Sequence, residues 1–129
     1  GGRLLTSGSY VGSDMTTDNE RLFLSHVLKC KYAGKDNEVG ETVNGMGTAF
    51  KFHRNINETH YAAQHPDILQ ADGDGAMPVM AYADGYAAAV AYGGSDYRAF
   101  TMGFPFECIQ VANTRAAIMR GILNYLINN

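Results

Sequence analysis

The chain has 129 residues, 46% of them hydrophobic and 18% charged, a balance that suits one packed domain or part of one. Its formal net charge of −3, with no basic run anywhere, excludes an electrostatic footprint for nucleic acid or an anionic membrane. No apolar run approaches the ~20 residues that a membrane helix needs, and neither Cys30 nor Cys108 sits in a CxxC or CxxH pair that would mark a metal or redox site.

In chain order, "GGRLLTSG" opens directly into a strand over residues 3–7. That opening reads as a cut from a longer chain, so the lack of a signal peptide carries no information on compartment. The glycine- and serine-rich "GSYVGSD" leads to "TDNERLFLSHVL", which predicts an amphipathic helix. Thr17 is its N-cap, Glu20 closes a capping box, and Leu22, Phe23, Val27 and Leu28 form the expected buried stripe. Residues 29–32 leave the helix for an edge strand. In "VNGMGTAFKFHR" a turn precedes a strand with Phe50 and Phe52 on one face. "HPD" at 65–67 reads as a proline turn with an aspartate cap, and "DGDG" at 72–75 as a turn that lacks the spacing of a calcium loop.

The runs "MAYAD", "YAAAVAY" and "YRAFTMGF" predict strands, the last two forming a hairpin. Alanine suits helices, but a seven-residue run bracketed by glycine turns is too short for one, and its small side chains predict a second layer packed close against it. Asn113 or Thr114 caps a last helix through about Ile127, with Ile118, Met119, Ile122, Leu123 and Leu126 facing inward. Gly121 in its middle is tolerable where close packing requires it. The sum is strand–loop–helix, a β-rich middle, and strand–loop–helix again: a layered α/β fold with a mixed sheet and flanking helices.

Ligands of open α/β sheets bind where strand ends meet helix starts. Two loops occupy that place. Residues 7–14 form a candidate ligand-binding loop, with Gly8, Ser9, Tyr10 and Gly12 supplying tight turns and N–H groups for an anion. Ser9, with Ser7 as alternate, stands where a nucleophile would, although the GxSxG spacing is absent. The other loop is "GFPFE", in which Glu107 is an acid inside an apolar stretch: a catalytic leg, or a carboxylate that caps the following helix and meets its dipole. Both loops should lie at the same end of the sheet. His26, His53, His60 and His65 read as surface, packing or turn residues, and HxxxxH at 60–65 is no zinc signature. No motif calls for a cofactor or metal. Asn57–Thr59 is a glycosylation sequon.

The first strand–loop–helix, with the final strand, "FPFE" and helix, resembles the second half of a class I glutamine amidotransferase-like, flavodoxin-like domain. Active members end that strand in Phe-His-Pro-Glu, completing a triad with a cysteine. Here Glu107 matches, but Pro105 stands where the histidine belongs, and "LLTSGSY" offers serines in place of the cysteine. A serine without an imidazole to take its proton is a weak nucleophile. The pairing of "GGRLLTSGSYVGSD" with "GFPFECI" and the helix after it also resembles the C-terminal part of large bacterial secreted proteins that carry the name xanthan lyase. These resemblances imply a secreted or periplasmic, carbohydrate-related protein of which residues 1–129 are a single α/β domain or the C-terminal fragment of one. The partners they imply are preceding domains of the same chain and a polysaccharide.

Three readings compete. One is a non-catalytic amidotransferase-like module. Another is a hydrolase or polysaccharide lyase built on Ser9 and Glu107, with a base such as a histidine or one of Tyr10, Tyr61, Tyr82, Tyr86, Tyr92 and Tyr97. The third is an assembly fragment that dimerises through an exposed sheet edge.

Overall fold

The computed structural model describes residues 1–35, 40–55, 59 and 62–127. His60, Tyr61, and Asn57 and Glu58 of the sequon lie outside the described residues. In chain order the elements are β1 (Arg3–Ser7), α1 (Asp18–His26), β2 (Cys30–Lys35), β3 (Thr42–Gly45), β4 (Thr48–Lys51), β5 (Asp67–Ala71), β6 (Ala76–Tyr82), β7 (Ala87–Gly93), β8 (Arg98–Met102), a 3₁₀ turn (Phe106–Cys108) and α2 (Ala112–Ile127).

Six strands form one sheet in the order β1-β8-β7-β6-β3-β4, and β2 pairs with β5 in a second, two-stranded sheet. The large sheet is mixed. β1 runs parallel to β8, in register from Arg3 opposite Arg98 to Ser7 opposite Met102. Its other neighbouring pairs are antiparallel. The mixed α/β layering therefore stands, with parallel pairing confined to the strands that feed the two helices.

The side-chain period of a strand explains why both faces of this sheet are covered. Along β7, Ala89 and Ala91 belong to one buried cluster and Val90 to the other. The first cluster joins Phe50, Phe52, Met80, Tyr82, Phe100, Met102 and Phe104 to the α2 stripe Ile118, Ile122 and Leu126. The second joins Val90 to Leu69 of β5, Cys30 of β2, and Leu24 and Leu28 at α1. A strand covered on both sides reads as a nearly unbroken apolar run. The alanines of β7 let β5 lie directly against it, as their size predicts.

Both helices depart from expectation in detail. Thr17 and Glu20 make the capping box, Thr17 Oγ1 accepting from the Glu20 amide at 3.2 Å and Glu20 Oε1 from the Thr17 amide at 3.0 Å. Of the expected α1 stripe, however, Leu22 and Phe23 are 49% and 43% exposed, because contact follows the i, i+4 line of Leu24 and Leu28. The exit of α1 is closed by the Tyr97 phenol, which donates to the Val27 carbonyl at 2.6 Å. In α2, Leu123 is exposed and Met119 half-buried, leaving Ile118, Ile122 and Leu126 as the true stripe. Neither Asn113 nor Thr114 caps α2. The Arg115 amide already donates to the Val111 carbonyl at 2.9 Å, which places both residues inside the first turn.

Candidate functional site

The parallel register of β1 and β8 brings the two candidate loops to one end of the sheet. The Gly8 amide donates to the Met102 carbonyl at 3.3 Å, and the Phe106 amide donates to Ser7 Oγ at 3.4 Å. Ser9 and Glu107 thus share an end of the sheet, as their place after strands predicts. Between them, the "FPFE" segment serves packing. Phe104 is fully buried, 5.1 Å from the Phe52 ring and 6.2 Å from the Tyr82 ring. Pro105 is buried as well.

Glu107 does not make the helix-capping contact expected of it. It is exposed within the 3₁₀ turn, which has no side-chain cap, and α2 begins only at Ala112. Among the described residues its carboxylate accepts no hydrogen bond. Ser7 Oγ accepts the Phe106 amide, Ser13 Oγ accepts from Lys35, and the Ser9 hydroxyl makes no hydrogen bond among the described residues. Among the described residues no histidine ring bonds to Ser7, Ser9 or Glu107.

The loop over residues 7–14 does hold an anion, and it is the protein's own. Asp67, at the start of β5, is fully buried. Its Oδ2 accepts the Gly12 amide at 2.8 Å and the Ser13 amide at 3.3 Å. Its Oδ1 meets Lys35 Nζ at 2.9 Å. The same ammonium donates to the Ser9 carbonyl and to Ser13 Oγ, each at 2.9 Å, and lies 3.9 Å from the centre of the Tyr10 ring. The Asp67 main chain is held too, its carbonyl accepting from Tyr82 Oη at 2.7 Å and its amide donating to Gly103 at 2.7 Å. Both carboxylate oxygens are engaged and the charge is paired, which is what a buried carboxylate requires. Asp67 is thus an anchor that ties the loop after β1 to β5, rather than the turn cap read from "HPD". The loop amides expected to be open for a ligand are occupied at Gly8, Gly12 and Ser13.

With the loop fixed, a cleft of about 450 Å³ opens between it, α1 and β2. Met15, Leu24 and Cys30 give it an apolar lining, while Ser13, Ser25, Arg21, Lys31 and Tyr32 add polar groups. Gly12 is set against Tyr32 so closely that a Cβ there would fall 2.9 Å from the Tyr32 Cβ. Sequence reading missed Asp67, Lys35, Arg21, Lys31 and Tyr32 as members of a site. The available signal was Asp67 itself, an acid directly before the apolar pair Ile68-Leu69.

Both thiols are free and buried. Burial, with Asp72 nearby, pushes the Cys30 thiol up to about 12 from 9.0; burial, with Glu107 nearby, does the same for Cys108. Neither is a nucleophile at neutral pH. Among the described residues no group of three or more His, Cys, Asp or Glu side chains could hold a metal ion. His26 and His65 are exposed, and His53 is tied through its main chain to Cys108 and Ala63. No helix among the described residues is long and apolar enough to cross a membrane.

No protein-family model matches the sequence, and no curated protein does. Among solved structures, the chain is similar to the exo-β-1,4-mannosidase Op5Man5 from Opitutaceae bacterium strain TAV5, with a TM-score of 0.54 and 9% identity. The likeness covers 95% of this chain and 19% of that one. At this identity it shows the fold alone. The chain spans about a fifth of the length of that neighbour.

Proposed function

We propose that this chain is a non-catalytic, amidotransferase-like module of a larger, secreted, carbohydrate-related protein. The observation that carries the carbohydrate part is the fold likeness, which runs over nearly the whole chain and matches a minor share of a mannosidase. Support for the non-catalytic part comes from the strand ends, where Ser7 is engaged by a main-chain amide, Glu107 is exposed, and Pro105 stands at the position of a base. The outer side of β1, which ends the six-stranded order, is where a preceding domain or a second copy would add on.

The test is a pair of measurements on the same preparation. Binding to neutral and acidic oligosaccharides is followed by calorimetry, while reducing ends and unsaturated-uronate absorbance are followed over time. Binding without turnover is the expected result. Turnover that disappears in Ser9→Ala and Glu107→Gln, with unchanged thermal melts, would instead establish the hydrolase or lyase reading.

A further inference from the structure

We propose that the cleft between the loop after β1, α1 and β2 binds a carboxylate-bearing sugar residue, held by Arg21 and Lys31 and packed against Tyr32. This rests on the carbohydrate reading and names its ligand class. The volume, about 450 Å³, falls within the ~300–1,000 Å³ of ordinary small-ligand sites. Its composition suits a pyranose, which has an apolar C–H face and a rim of hydroxyls. Tyr32 is 39% exposed, large and amphipathic, a surface on which such a face can lie. Leu24 and Cys30 are buried beside it, and the Ser13 and Ser25 hydroxyls offer hydrogen bonds.

Charge decides the class of sugar. Among the described residues the lining carries two cations and no carboxylate. Arg21 is oriented by a bond from its Nε to the Met15 carbonyl at 3.4 Å, and among the described residues its terminal nitrogens make no other hydrogen bond. A guanidinium presented in that way is the side chain that best matches a carboxylate in two-point contact. Lys31 is met by Asp72 only at 4.0 Å, and its side chain is largely exposed. Asp72 also accepts a hydrogen bond from Ser25 Oγ, so the nearest acid is already shared between two groups. The walls are set before any ligand arrives. The Asp67 carboxylate holds the Gly12 and Ser13 amides, and Gly12 backs directly onto Tyr32. A site fixed in this way loses little freedom on binding.

The experiment is an amide-resolved NMR titration with three probes: a short oligogalacturonate, a neutral galacto-oligosaccharide of the same length, and sodium acetate. The oligogalacturonate should shift the Ser13, Ser25 and Tyr32 amides and bind at least about tenfold more tightly than the neutral sugar, the scale of one charged hydrogen bond. Arg21→Gln and Lys31→Gln, both surface changes whose melts are checked first, should each weaken the oligogalacturonate several-fold more than the neutral sugar and so remove most of that preference. Tyr32→Ala should weaken both sugars. Equal binding of the charged and neutral sugars, with no effect of Arg21→Gln, would overturn the inference and leave the carbohydrate reading standing. Acetate binding as tightly as the oligogalacturonate would overturn the inference, because the ring would then contribute nothing, and binding of neither sugar would overturn both. Shifts confined to residues outside the cleft would overturn the inference by placing the sugar elsewhere.

Discussion

A carboxylate buried without water is tolerable only when its charge and lone pairs are met, and Asp67 shows how that requirement organises one corner of the molecule. Its partner Lys35 is part-exposed, with a quarter of its side chain open to solvent, whereas Asp67 is sealed. The two halves of the pair are therefore unequal when orphaned. Lys35→Met leaves an unpaired charge with no access to water, while Asp67→Asn leaves an ammonium that can turn outward. Lys35→Met should be the more destabilising, by about 3 kcal/mol or more, with Asp67→Asn clearly milder in urea denaturation. Glu107 makes the opposite case. Exposed and without a hydrogen-bond partner among the described residues, it should tolerate Glu107→Ala within about 0.5 kcal/mol in a thermal or chemical melt. In sequence both are acids bordering apolar runs, and nothing local ranks them. Distant partners decide, since Lys35 and the Gly12 amide lie 32 and 55 positions from Asp67. The thiols add a pH dependence. Cys30 and Cys108 have folded values raised from 9.0 to about 12, so folding disfavours their thiolates. Their contribution to stability is complete below pH 9.0 and declines as pH rises towards about 12. Urea midpoints falling from pH 8 to pH 10, with a thiol reagent reacting only on unfolding, are the expected outcome.

At the level of the element, local chemistry was legible and direction was not. The α1 capping box, the β7–β8 hairpin and the shared face of Phe50 and Phe52 all follow from spacing within a few residues. Which stripe of a helix is buried depends on what it meets. α1 packs chiefly on β2, so one line of leucines suffices and Leu22 and Phe23 stay outside. Gly121 of α2 illustrates the same point from the other side. A Cβ added there would come 3.0 Å from Met46 Cε, the far end of a flexible side chain. Since Met can shift, the gain in helix propensity of about 1 kcal/mol should dominate. Gly121→Ala should therefore raise the melting temperature by a few degrees. A fall would show that the Met46 contact is rigid.

For the whole molecule, one sheet covered on both faces yields two cores that meet at β7. The layered α/β plan was readable because alternating strand and helix patterns fix layers. The extent of antiparallel pairing was not, because pairing partners are chosen across the chain. The same holds for the cleft: Arg21 and Lys31 look like scattered surface charges until α1 and β2 are folded side by side. β1 and β4 are the two ends of the six-stranded order. β1 is short, with Leu4 39% exposed. If a second copy adds to that edge, light scattering should show a dimer that Leu4→Lys disperses, because a charged edge resists pairing.

The parallel pairing of Arg3–Ser7 with Arg98–Met102 also sets a timetable. The β6–β7–β8 meander can assemble from neighbouring turns, but β1 has no strand to join until β8 exists, and closing so long a loop costs entropy before any contact rewards it. β1 should dock late, after the folding barrier has been crossed. Conservative changes such as Leu5→Ala would then accelerate unfolding and leave the refolding limb of a chevron almost untouched. The loop carrying Gly12 and Ser13, and with it one wall of the cleft, would be the last part of the protein to take shape and the first to open.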